Sequence, residues 1–101
     1  YAQIPSFQDD LRIRQWNLWS WVDSRDVGQA CVRALEADIA GVDNFTIAAA
    51  DTLMRTSSRD LVSRAFAGTT IADRLGEFET LLSIDKARRL LGYEPRHTWR
   101  D

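Results

Sequence analysis

Helix boundaries are the firmest local signals in this chain, and they restrict it to short helices separated by turns. Asp23 stands where an N-cap would, with Asp26 at the third helical position, so two carboxylates face the unpaired N–H groups of a first turn. Val27, Ala30, Cys31, Ala34 and Leu35 then recur at helical spacing, which predicts a helix with that face buried, ending near Ala37 with Gly41 in the connection. Ser57 with Asp60 three residues on is a weaker form of the capping box, and Leu61, Val62, Ala65 and Phe66 form the apolar face before Gly68. The third start is Ser83. Ile84, Ala87, Leu90 and Leu91 supply its stripe, Gly92 its stop, and Pro95 forbids continuation. Thr98 is placed to cap a further helix in the tail.

Between the helices the pattern shortens. Residues 18–22, 44–50 and 69–72 read as short strands, with Trp19 and Trp21 on one face of the first and Phe45 and Ile47 on one face of the second. Residues 73–82 read as loop. Residues 1–16, with Pro5 and the acidic pair Asp9-Asp10, read as a surface excursion leading into the first strand. The expected fold class is therefore a small mixed α/β unit with three main helices and short strands. Trp16, Trp19 and Trp21 lie within six residues and need a surface to cover them, either protein or the flat ring of a ligand.

Composition removes several functions. A net charge of −2 argues against nucleic acid or an anionic membrane as a main partner. No apolar run approaches the roughly 18 residues of a membrane span, and no leader pattern is present, so the cytoplasm is the expected compartment. Cys31 is the single cysteine, which excludes an intrachain disulfide; its place in an apolar stripe predicts a small buried residue. Lys86 is the one lysine among 13 basic residues; the rest are arginines, whose planar forks suit phosphate and carboxylate.

The chemistry-bearing motifs are missing. There is no G-x-G-x-x-G or P-loop pattern, and no Tyr-x-x-x-Lys pair to abstract a proton. The carboxylates lack metal-ligand spacing, and His97 is the only histidine. The chain by itself is expected to have no catalytic, cofactor-binding or metal-binding residues. It begins at Tyr1 without methionine, which is read as processing or as the back portion of a longer protein.

Over residues 17–101 the order of signals resembles a known family. Trp21-Val22-Asp23-Ser24-Arg25-Asp26-Val27, Asn44-Phe45-Thr46-Ile47, Arg74-Leu75-Gly76-Glu77 and Asp85-Lys86-Ala87-Arg88-Arg89-Leu90-Leu91-Gly92-Tyr93-Glu94-Pro95 are similar to the C-terminal part of NAD(P)-dependent sugar epimerases and dehydratases, the extended short-chain dehydrogenases/reductases. The resemblance implies that a Rossmann domain, holding NAD or NADP and the catalytic groups, precedes a substrate-binding lobe to which this chain corresponds. It also implies a sugar substrate, often a nucleotide-diphosphate sugar, with Arg74 in the Arg-x-Gly-acidic turn contacting its anionic part. Trp19-Ser20-Trp21 stands where many nucleotide-sugar enzymes have Arg-Asp-aromatic, so a different sugar or carbonyl substrate stays open, with Trp19 able to stack on a ring or to serve as core. Lys86 is implied to be structural. Arg88 and Arg89 are read as solvated or ion-paired on a helix flank, and His97 and Trp99 as packing the tail. The alternative is a stand-alone non-catalytic interaction or dimerisation module derived from that fold, burying its Trp-rich face in a homodimer or against a partner.

Overall fold

The computed structural model describes residues 3–8 and 10–100; the expectations touching Tyr1, Asp9 and Asp101 lie outside the described residues. Among the described residues four α-helices follow in order: α1 (Pro5–Gln8), α2 (Ser24–Glu36), α3 (Ser58–Ala65) and α4 (Asp85–Leu91), with a 3-10 turn at Gln15–Asn17. The three longer helices are those announced by the capping residues. Asp23 accepts from the Arg25 N–H, and Ser57 accepts from the Asp60 N–H. Ile84, not Ser83, is the N-cap of α4; the Ser83 hydroxyl accepts from the Asp85 N–H at 3.5 Å. Gly92 ends α4 at φ 71°, a left-handed conformation that a Cβ would penalise.

The expected strands do not form, and the mixed α/β class is corrected accordingly. Among the described residues the only β-type pairing is an isolated antiparallel bridge between Asp51 and Glu79. Leu18 and Trp19 both take φ 56°, which breaks the extended course of residues 18–22. The segments still meet through single bonds: Ala49 N–H to Trp21 O, Leu53 N–H to Trp19 O, Thr52 N–H to Phe78 O and Thr80 N–H to Ala50 O. Two of them join residues 19–21 to 49–53 and two join 50–52 to 78–80, the latter flanking the Asp51–Glu79 bridge; neither pairing continues further, so no ladder builds. A left-handed non-glycine residue costs roughly 1–2 kcal/mol. Burying a tryptophan contributes about 4–6 kcal/mol in return, from its area at the usual transfer coefficient.

Two cores result. Ala30, Ala48, Ile84, Ala87, Leu91 and Tyr93 form one, between α2 and α4. Trp19, Leu53, Met54 and Leu61 form the other, with Trp21, Phe66 and Leu81 against it. The buried face of α2 is turned from the one expected. Asp26 and Ala30 point inward, while Val27, Cys31, Ala34 and Leu35 are exposed, Leu35 at 88%. The physical reason is the tail, which docks on Asp26 and Gln29 and so selects the neighbouring stripe. Gln29 and Glu94 exchange two hydrogen bonds of 2.7 Å in the manner of a strand pair. The N-terminal segment is likewise more than an excursion: the Gln8 side chain is buried and donates to Leu53 O at 2.8 Å. No helix among the described residues is long and apolar enough to cross a membrane.

Candidate functional site

A cleft of about 470 Å³ opens between α3, the 69–75 connection, the 79–85 segment and the start of α4. That volume falls within the range of ordinary small-molecule sites. Val62 of α3 and Phe66 at its C-cap, with Ile71 and Leu81, give it an apolar floor; Thr69, Thr70, Thr80 and Ser83 add hydroxyls. Arg74, Arg88, Glu79 and Asp85 supply the charge.

The turn that carries Arg74 is held from outside by α3. One nitrogen of the Arg59 guanidinium donates to Ala72 O at 3.0 Å and to Asp73 O at 2.9 Å. The Leu75 N–H closes the turn on Ala72 O, and the Glu79 carboxylate accepts from the Gly76 N–H at 3.0 Å. Ser58, buried at the start of α3, fixes the far side through its N–H to Glu77 O and its hydroxyl to Glu79 O. The backbone under Arg74 is therefore braced while its side chain is exposed. Among the described residues the guanidinium groups of Arg74 and Arg88 have no hydrogen bond or ion pair.

Trp19 lies elsewhere. It is fully buried, its indole N–H donates to Leu11 O at 2.8 Å, and its ring meets Phe66 edge-on at 6.2 Å. No face of that ring is open, so Trp19 is core and its proposed stacking on a ligand is corrected. The expected Trp-rich surface is mostly interior too. Trp21 donates to the Asp51 carboxylate and Trp99 to Thr52 O, leaving Trp16, 79% exposed, as the one tryptophan on the outside among the described residues.

A second constellation binds the tail. The Asp26 carboxylate, fully buried, accepts from the backbone N–H groups of Arg96 and His97 and meets His97 Nδ1 at 2.8 Å. Burial alone would push this carboxyl up; the hydrogen bonds from the His97 ring and from both N–H groups outweigh it and hold it below its ordinary value. Arg100 reaches Asp51 at 2.5 Å, Thr52 O at 2.7 Å and Met54 O, between the rings of Phe78 and Trp99 at 4.3 and 4.4 Å. Thr98 donates to Asp51 instead of starting a helix. Lys86 pairs with Asp43 at 2.5 Å and with Asn44 O, a structural tie.

Comparison with protein-family models, curated proteins and solved structures yields no match.

The dinucleotide that the resemblance implies does not fit this cleft. None of the chain's five glycines lines it, so no bare backbone turn is available to a pyrophosphate. Among the described residues no group of three or more His, Cys, Asp or Glu side chains is disposed to hold a metal ion. What the cleft can do is seat a small molecule with an anionic end. Arg74 was legible as a candidate; Arg88 and Arg59 were not. Arg88 follows Ile84 by four residues, which puts it at the border of the buried stripe of α4. That spacing was the only available signal.

Proposed function

We propose that this chain is the substrate-holding lobe of an NAD(P)-dependent sugar epimerase/dehydratase-like oxidoreductase of the extended short-chain dehydrogenase/reductase type. The observation that carries the reading is a coincidence of two independent lines. The arginine picked out by the Arg-x-Gly-acidic turn stands on the wall of the cleft, on braced backbone and without an ion pair. The lobe orients the sugar and excludes water, while oxidation of a sugar hydroxyl belongs to a nicotinamide half outside these residues. Arg74 fixes the anionic end, and a guanidinium does so with direction as well as charge.

The test is calorimetric titration of the chain with UDP-glucose. Saturable binding is expected, weakened about 10- to 100-fold in Arg74→Ala, the range for a lost charge-assisted hydrogen bond. Equal affinity in the variant, with unchanged circular dichroism, removes Arg74 from the site.

A second reading draws on α2. Its exposed Val27, Cys31 and Leu35 run along one line of the helix. Two copies packed antiparallel about Cys31 would set Val27 against Leu35 and Arg25 near Glu36 of the second copy. A concentration-dependent mass without response to sugars favours this dimer.

A further inference from the structure

We infer that residues 93–100 form an exchangeable arm, and that the groove they fill takes the same arm from a second copy of this chain. The inference stands apart from the sugar reading and from the outer face of α2. The arm contains no helix or strand of its own. From the Tyr93 hydroxyl onward, every hydrogen bond that joins it to the body among the described residues reaches a residue 45 to 71 positions away. Tyr93 donates to Ala48 O, and Glu94 exchanges two bonds with Gln29. The buried Asp26 carboxylate takes the main-chain N–H groups of Arg96 and His97, while Asp51 takes the Thr98 hydroxyl and the Arg100 guanidinium. The Phe78 ring stands 4.3 Å from that guanidinium and closes the end of the groove. A groove made this way selects an extended segment with an arginine at a fixed place, and each copy of the chain carries one.

The joint between arm and body is a single exposed glycine. Gly92 sits at φ 71° with nothing within 4 Å of where a Cβ would stand. Two hydrogen bonds close the turn, from the Gly92 N–H to Arg88 O and from the Tyr93 N–H to Ala87 O. Glycine leaves a left-handed turn for an extended course without steric cost. Pro95 fixes its own φ and biases Glu94 toward extension, so the arm projects once the turn opens. An arm delivered by a second copy remakes every contact described above. The closed and exchanged forms therefore differ only at the Gly92 turn and in their dependence on concentration, which makes exchange a low-cost route to a dimer. A tethered arm competes at an effective concentration in roughly the millimolar range, and exchange sets in as the protein approaches it.

Refolding from urea at about 10 μM and at about 1 mM, followed by size exclusion with light scattering, tests this for wild type, Gly92→Ala and Leu35→Arg. Wild type is expected to be monomeric at the lower concentration and partly dimeric at the higher. Gly92→Ala should raise the dimer-to-monomer ratio at least about 5-fold, because a Cβ penalises the closed left-handed turn and not the extended one. Leu35→Arg should change nothing. A synthetic peptide of residues 93–101, in roughly tenfold excess during refolding, should fill the groove and suppress the dimer. Circular dichroism confirms that each variant folds. Monomer alone at the higher concentration, in both wild type and Gly92→Ala, overturns the inference. So does a dimer that the peptide leaves intact, and so does one that Leu35→Arg abolishes, which belongs to the outer face of α2. Should Gly92→Ala fail to fold, the peptide competition on wild type decides by itself.

Discussion

Replacing Asp26 by Asn tests the reasoning about the tail most sharply, because it removes a charge and almost no volume. The carboxylate is fully buried and is the acceptor for two backbone N–H groups and the His97 ring. An asparagine keeps one acceptor oxygen and turns an NH₂ toward donors, so at least one part-buried N–H loses its partner. Hydrogen bonds to a charged group contribute about 1.5–3 kcal/mol each, and a buried donor left unpaired costs about 1–3 kcal/mol. The expected loss is about 3–4 kcal/mol, a large share of the roughly 5–15 kcal/mol that holds a domain together. At about 4–8 °C per kcal/mol for a chain of this size, Tm should fall by about 12–30 °C at pH 7. The pH dependence adds a second check. Because the folded carboxyl titrates below its ordinary value of 3.8, its contribution is complete above that value and is lost as pH falls through the folded value. The gap between wild type and Asp26→Asn should therefore narrow below about pH 4. Thermal melts by circular dichroism from pH 7 to pH 3 measure both effects. A Tm within 3 °C of wild type at pH 7, or a gap that stays constant with pH, refutes the account.

Two further outcomes follow from buried and exposed groups elsewhere. Burial first, and the nearby Asp26 charge second, push the Tyr93 hydroxyl up to about 12, and it donates to Ala48 O at 2.8 Å. Its folded value exceeds the ordinary 10.0, so stability should decline as pH rises from about 10 toward 12. Tyr93→Phe should cost about 1 kcal/mol at pH 7 and lose this alkaline component, as read by urea melts at both pH values. Cys31 is exposed, so a thiol reagent should modify it in the native protein at a rate close to that in denaturant; protection of 100-fold or more would mean that the α2 face is covered.

The helix starts were legible because a cap is a local event: Asp23 and Ser57 bond to N–H groups two and three residues away. The strands were misread because alternation says only that a segment is extended, and a ladder needs a second backbone in register beside it. Residues 18–22 meet their neighbours at isolated points, after two left-handed residues that nothing in the local pattern of Leu18 and Trp19 announced. The turned face of α2 has the same origin. Its periodicity allowed two adjacent stripes, and the choice was made by Glu94, Arg96 and His97 from the far end of the chain. At the cleft, Arg74 was visible through its turn. Arg59 was not, because its contribution is two hydrogen bonds to carbonyls 13 and 14 positions away.

The contact between Asp26 and His97 joins positions 71 apart, and this sets an order of events in time. The capped helices need only neighbouring residues, whereas a loop this long closes late and at a larger entropic cost. Until it closes, Asp26 has no donors and the inner face of α2 has no lid. Interactions made after the folding barrier govern how fast a protein comes apart and leave its rate of assembly nearly untouched. The tail is then a latch in the kinetic sense. In stopped-flow experiments Asp26→Asn should accelerate unfolding while folding keeps its pace, and a slowed folding limb instead would place the clasp in the nucleus.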